Sequence, residues 1–251
     1  MRLSITAIKT FKACRREYFL KYIEGLEPVK KPEALEIGSN YHQKIEQLYA
    51  TGDVDISDFS KESAMAIAYK KYIYPHFKMK AAEEWVEKDI GKHTLFGRVD
   101  GLSEDGFLVE HKSVGYEINP DYEYKLMWDE QILAYMLMSN TNKVYYTVCR
   151  KPILRQKNGE SDWEFFLRMV AWYDDYTDAK IRLMVIERTD EEIQAFAKQA
   201  EEIADEIENT HNYYLNTCHC FRWGRQCEYA SVCLHYDPNQ QYLQFTRREE
   251  Q

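Results

Sequence analysis

Three side chains in the stretch from Phe96 to Gly115 have the means for hydrolytic chemistry: Asp100, Glu110 and Lys112. Ser103-Glu104-Asp105-Gly106 is a turn signal and the flanking residues 94–102 and 107–113 have strand composition, so a β-hairpin is expected. With the turn centred near residue 105, Asp100 and Glu110 fall opposite one another to within about one residue of register, and one cation can reach both carboxylates. The two-residue period of a strand places Glu110 and Lys112 on one face and Val109, His111 and Ser113 on the other. Neighbouring carboxylates repel unless a metal or a proton offsets them. Hard oxygen ligands suit Mg2+ or Mn2+, ions that keep several waters and can present one to a phosphodiester, with Lys112 to orient it. A Glu-x-Lys on an ordinary hairpin edge would do none of this, so the reading depends on what other elements bring to the same place.

Residues 38–50 are expected to form a helix that buries Ile37, Tyr41, Ile45 and Leu48 and leaves His42 and Glu46 one turn apart beside that stripe. A helix from about 122 to 139, behind Pro120, sets Gln131 and Tyr135 one turn apart. Their amide and phenolic hydroxyl suit a phosphate oxygen or a base edge without adding charge. A helix over 5–23, capped by Ser4 or Thr6, carries Cys14 on an apolar stripe with Ile8, Phe11, Tyr18 and Tyr22. Residues 56–80 and 163–173 read as helical, 84–92, 143–149 and 180–187 as strands, and 189–216 as a long helix opening on Thr-Asp-Glu-Glu. This order predicts an α/β chain with a mixed central sheet flanked by helices, and not a doubly wound βαβ series. Arg150 and Lys151, at the end of the strand holding Cys149, belong to basic stretches that read either as solvated faces or as a nucleic-acid track.

Four of the six cysteines lie in Cys218-His219-Cys220-Phe-Arg-Trp-Gly-Arg-Gln-Cys227-Glu-Tyr-Ala-Ser-Val-Cys233. In a cytosolic chain such density points to metal rather than disulfides. Three late thiolates with Cys14 would give the four ligands of an iron–sulfur cluster or a structural zinc and clamp the two ends of the chain together.

The 251 residues suffice for a sizeable core and contain no Pro/Gly/Ser-rich linker, so one elaborated domain over 1–251 is expected. Its parts would be a helical stretch (1–92), a catalytic sheet (93–188) and a long helix with the Cys-rich segment (189–251). A net charge of −9 argues against a protein that coats nucleic acid non-specifically, though not against a local basic channel. No stretch approaches a membrane span, no apolar leader opens the chain, and no GxxxxGK[ST] loop offers an ATP site, so a cytoplasmic protein without its own motor is expected.

Asp100 followed by Glu110-His111-Lys112 resembles the signature of the PD-(D/E)XK nuclease superfamily, with Val99-Asp100 in place of Pro-Asp. Gly38-Ser-Asn-Tyr-His42-Gln-Lys-Ile-Glu46 is similar to the GxxxHxxxE helix of its RecB-like branch, and Gln131-Ile-Leu-Ala-Tyr135 to the QxxxY motif. The resemblance implies a restriction-endonuclease-like fold with a helical insertion. It implies that His42 and the His111 backbone carbonyl join Asp100 and Glu110 as ligands of Mg2+ or Mn2+, and that Lys112, Gln131 and Tyr135 complete the catalytic set. One early and three late cysteines resemble the iron–sulfur members, AddB-type and CRISPR-associated exonucleases, which implies a 4Fe–4S cluster on Cys14, Cys220, Cys227 and Cys233. The spacing of Cys227 and Cys233 matches, but Cys220 stands seven residues ahead of Cys227 instead of in a CxxC, so Cys218 or His219 is an alternative ligand, Zn2+ an alternative metal, and a reduced, metal-free set of thiols a third reading. The expected function is a metal-dependent DNA exonuclease acting on single strands or free ends, with Gln131, Tyr135, Arg150 and Lys151 on the DNA and recombination, repair, phage or CRISPR-type partners. The alternatives are a nuclease-fold module that binds nucleic acid without cutting it and a zinc-stapled interaction protein.

Overall fold

The computed structural model describes residues 1–30, 32–175, 177–222, 224–234 and 244–248. The first third comprises β1 (Arg2–Ser4), α1 (Ile5–Ala13), α2 (Arg15–Tyr18) running into a π-helical turn (Phe19–Ile23), β2 (Leu26–Pro28), α3 (Glu33–Thr51) and α4 (Lys61–Tyr72). The middle third comprises β3 (Met79–Ile90), β4 (His93–Ser103), β5 (Leu108–Val114), α5 (Pro120–Leu126), α6 (Glu130–Ser139) and β6 (Lys143–Arg150). The remainder comprises α7 (Asp162–Ala171), β7 (Ile181–Glu187), α8 (Asp190–Asn209), α9 (Thr217–Cys220), β8 (Phe221–Arg222), β9 (Arg225–Gln226), α10 (Ala230–Leu234) and β10 (Phe245–Arg247). Two compact units divide the chain: Met1–Pro32 with Lys88–Phe96 and Ala195–Gln251, and Glu33–Glu87 with Gly97–Gln194.

The second unit is built on a mixed sheet. β4 pairs antiparallel with β5, β5 parallel with β6, and β6 antiparallel with β7, while β3 pairs with β4. The helices α3, α4 and α6 pack on these strands. The spacing Tyr41, Ile45, Leu48 is one face of α3, and all three side chains are buried in a core with Tyr69, Val109, Cys149 and Tyr173. β6 has no exposed residue and is buried at Val144 and from Tyr146 to Cys149, as expected of an interior strand with a parallel neighbour. The α/β class with a mixed sheet between helices is therefore as expected.

Several boundaries differ from the sequence reading, each for a local reason. The helix expected over 5–23 breaks at Cys14, whose backbone is extended (φ −160°, ψ 113°). The helix expected over 56–80 is confined to Lys61–Tyr72: Ser60 caps its start by accepting from the Ser63 amide, and Pro75 follows its end. β3 then begins at Met79, five residues earlier than expected. The helix expected over 122–139 is two helices, because Asp129 leaves the helical path and caps α6 through the Gln131 amide. α8 stops at Asn209, where Asn209 and Thr210 side chains donate to the Asp205 and Glu206 carbonyls.

In the first unit, residues 2–4 of β1 run parallel to residues 94–96, and β10 pairs antiparallel with β2. Leu20, Leu26, Tyr229, Val232 and Phe245 form a small core there, against which Cys227 and Cys233 pack. Among the described residues no helix is long and apolar enough to cross a membrane.

Candidate active site

The β4–β5 hairpin forms as its turn residues require. Gly106, at φ 85°, donates its amide to the Ser103 carbonyl, and the Ser103 hydroxyl closes the turn by accepting from the Phe107 amide. Gly101 pairs with Val109 and Leu102 with Leu108, so the next pair in that register is Asp100 and Glu110. The Asp100 carboxylate accepts from the His111 backbone amide at 2.7 Å, and its other oxygen lies 3.4 Å from His42 Nδ1 on α3. Burial alone would raise this carboxyl, but the His42 hydrogen bond and the cationic neighbours hold it down, to about 2, so Asp100 is ionised.

Glu110 behaves in the opposite sense. It is only 4 % exposed, and burial together with the Asp100 charge pushes its pKa up to about 7 despite the Lys112 ammonium paired with it. Lys112 is itself deeply placed; the Glu110 and Asp100 charges outweigh the burial that would lower it and hold it above the ordinary lysine range. On α6, Gln131 Nε2 lies 3.2 Å from the same Glu110 oxygen and 3.1 Å from the Tyr135 hydroxyl. The Tyr135 phenol is pushed up to about 12, chiefly by burial and then by Glu110, and stays protonated. Gly97 on β4 lets this helix approach: a Cβ there would meet Tyr135 Cε1 at 2.9 Å.

His111 lies on the other face of β5, as the strand period requires. Its Nδ1 is 2.8 Å from the Thr147 hydroxyl on β6, while its Nε2 is buried with no hydrogen-bond partner among the described residues. Burial drives this imidazole down to about 3, so it is neutral. His42 stands edge-on to its ring, at 6.0 Å between centroids, and Tyr69 at 5.3 Å. A small cleft beside Asp100 is lined by His42, Glu46, Met79, Glu83 and His111. Thr147, Asp129 and Glu83 were not foreseen. The Asp129 cap had a local signal, an Asp two residues ahead of Gln131, whereas Thr147 depends on the β5–β6 pairing and Glu83 on a left-handed backbone (φ 52°) beside Arg98.

The structure thus gathers Asp100, Glu110, Lys112, His42, His111, Gln131 and Tyr135. Within it, Asp100 turns to His42 and Glu110 to Lys112 and Gln131. An ionised carboxylate with His42 Nδ1 beside it and a second carboxylate whose ionisation the first opposes fit a divalent cation bound chiefly through oxygen ligands. Arg150 and Lys151 are otherwise engaged: Arg150 lies over Trp172 with Glu117 at 3.7 Å, and Lys151 donates to the Ala34 carbonyl.

The other predicted metal centre lies in the first unit. Cys14, Cys220, Cys227 and Cys233 are free thiols. Burial raises the Cys227 thiol to about 11, with Glu17, Cys233 and Cys14 adding to the shift, and burial raises Cys233, which has Cys14 and Cys220 as neighbours. Cys233 thus has electrostatic neighbours in Cys14, Cys220 and Cys227, and Cys14 also acts on Cys227. Ligand atoms of Glu17, His219 and Cys227 also lie within 4.8 Å of one another, and His219 is held by Glu17 and Arg222.

A family model described as the PD-(D/E)XK nuclease superfamily matches residues 2–234. No curated protein sequence matches the chain. Among solved structures, a candidate exonuclease from Eubacterium rectale shares 11 % identity at a TM-score of 0.54, covering 82 % of this chain and 80 % of that one. A phage-related exonuclease from Haemophilus somnus 129PT shares 14 % (TM-score 0.42; 81 % of each chain). An alkaline exonuclease from Laribacter hongkongensis shares 15 % (TM-score 0.35; 82 % of this chain and 90 % of that one). At such identities the likeness to the first is one of fold. With the match running from residue 2 to residue 234 and the hairpin carrying Asp100, Glu110 and Lys112 in register, the chain belongs to the PD-(D/E)XK nuclease superfamily.

Proposed function

We propose that this chain is a divalent-metal-dependent deoxyribonuclease that shortens DNA from an end, acting on single strands or free ends in recombination, repair, phage or CRISPR-type processing. The observation that carries the reading is the convergence of Lys112 and Gln131 on Glu110 while Asp100, opposite on the hairpin, remains ionised. Asp100, Glu110, His42 and the His111 carbonyl would hold Mg2+ or Mn2+. Such an ion, when bound, supplies positive charge where the scissile phosphate gains negative charge and makes water more acidic.

The chain's own groups do the rest. Lys112 is kept protonated by its two carboxylate neighbours, so it acts as a donor that orients water and screens phosphate, and not as a proton acceptor. Gln131 donates through Nε2 to both Glu110 and the Tyr135 hydroxyl, which leaves its amide oxygen and the phenolic proton to position the strand. Arg150 and Lys151 would contact the DNA backbone only by giving up Glu117 and the Ala34 carbonyl. Cys14, Cys220, Cys227 and Cys233 would hold a 4Fe–4S cluster, or Zn2+ in its place, as a structural clamp, with His219 beside them.

The test is cleavage of end-labelled single- and double-stranded DNA with Mn2+, beside Glu110→Ala and an EDTA control. Activity that disappears in both controls supports the reading, and the ladder of labelled products reports the direction. Tight binding with no cleavage by the native chain would make it a nucleic-acid-binding module instead.

A further inference from the structure

A cavity of about 680 Å3 opens beside the catalytic cleft, lined by Tyr49, Tyr74, His76, Phe77, Lys78 and Glu104 among others. Its volume lies within the range of about 300–1,000 Å3 usual for sites that take small ligands. Three features connect it to the chemistry. Met79 lines both the cavity and the cleft that holds Asp100 and His42. Tyr49 lies one helical turn beyond Glu46, which lines that cleft. The Tyr49 hydroxyl is 3.0 Å from that of Tyr69, whose ring stands edge-on to His111 at 5.3 Å.

The lining is suited to one kind of guest. Tyr49 packs on Tyr74 at 5.0 Å and on Phe77 at 6.3 Å, so the lining is rich in aromatic rings, while the exposed Lys78 and His76 bring positive or ionisable groups to the rim beside the Glu104 carboxylate. Aromatic rings that take a base face together with a cation for phosphate are what a nucleotide with an unpaired base requires, and such stacking tolerates any base. We infer that this cavity receives the terminal nucleotide of the strand being cut, its base against Tyr49 and Tyr74 and its phosphate toward Lys78. The inference rests on the nuclease reading and sharpens it: a pocket for one nucleotide next to the cleft would set the cut close to an end and is the structural basis for working from ends.

The probes are deoxyadenosine 5′-monophosphate and deoxyribose 5-phosphate, titrated by calorimetry into the full-length chain without added divalent ion. The nucleotide should bind detectably, and Tyr74→Ala should weaken it by about 5- to 150-fold, the span expected for loss of one base-stacking ring. Tyr74→Phe should retain the affinity, and the weak binding of the sugar phosphate should be unaffected by either change. Lys78→Ala, at an exposed position, should weaken both probes and serves as the second variant if Tyr74→Ala does not fold. With end-labelled DNA, Tyr74→Ala should shift the first products away from mononucleotides. Absence of nucleotide binding, or equal affinity in the native chain and Tyr74→Ala, would overturn the assignment while the nuclease reading stands if the native chain still cleaves. A native chain that does not cleave at all would remove both.

Discussion

Gly101 follows Asp100 and pairs with Val109, and β3 crosses it closely. A Cβ at this position would lie 2.3 Å from Met79 Cε, 3.1 Å from Met79 Sδ and 2.9 Å from the Ala81 carbonyl oxygen. The thioether can swing aside, but the carbonyl belongs to the β3 backbone and can retreat only if the strand does. Overpacking of this kind costs about 1–3 kcal/mol, and the lower entropy of an unfolded chain with Ala in place of Gly returns about 0.4–1 kcal/mol. Gly101→Ala should therefore destabilise by about 1–2 kcal/mol, read as a lower urea midpoint at unchanged m-value. Met79, Ala82 and Glu83, all on β3, line the cleft with Asp100, so the same displacement should depress cleavage by up to about 100-fold. Met79→Ala in the Gly101→Ala background removes two of the three close contacts but not the carbonyl. A double-mutant cycle should accordingly show favourable coupling with incomplete recovery. A Gly101→Ala midpoint at or above that of the native chain would refute the close approach of β3 from which the effect is derived.

Lys112→Ala should abolish cleavage while DNA affinity, measured by fluorescence anisotropy, stays within a few-fold of the native value; equal loss of both would contradict its assignment to water. Glu110 has its folded pKa raised from 4.5 to about 7, so the stability of its neutral form is fully present below about 4.5 and is lost as pH rises through 7. Glu110→Gln should thus raise the melting temperature of EDTA-treated protein at pH 8, by an amount reflecting up to about 3 kcal/mol, and leave it nearly unchanged at pH 4; a difference independent of pH would contradict this. Cys233→Ser should lower bound metal, measured as iron, sulfide and zinc, and the melting temperature together, whereas an unchanged metal content would show that Cys233 is not a ligand.

What the sequence made legible, and what it did not, follows the range of the interactions. The hairpin could be read because its determinants are local: Asp-Gly fixes the turn, and the strand period then fixes which side Glu110, His111 and Lys112 take. The two helix breaks were missed for a shared reason. Apolar residues continue at helical spacing across Cys14 and across Trp128-Asp129, so periodicity reports an unbroken helix, although the backbone is extended at both Cys14 and Asp129. Neither break is idle. The extended residue at position 14 is the cysteine that neighbours the late thiols, and the one at position 129 caps the helix whose first turn holds Gln131 against Glu110. A continuous helix would carry each of these side chains on through its own 100° rotation per residue, with nothing to reset its direction. The contacts made by Thr147 and Lys151 were beyond any local reading, since they require β6 beside β5 and the start of α3 beside the end of β6. The residue types of the candidate site are thus encoded in short motifs, while their aim is encoded in the interruptions between regular elements, where propensity has least to say.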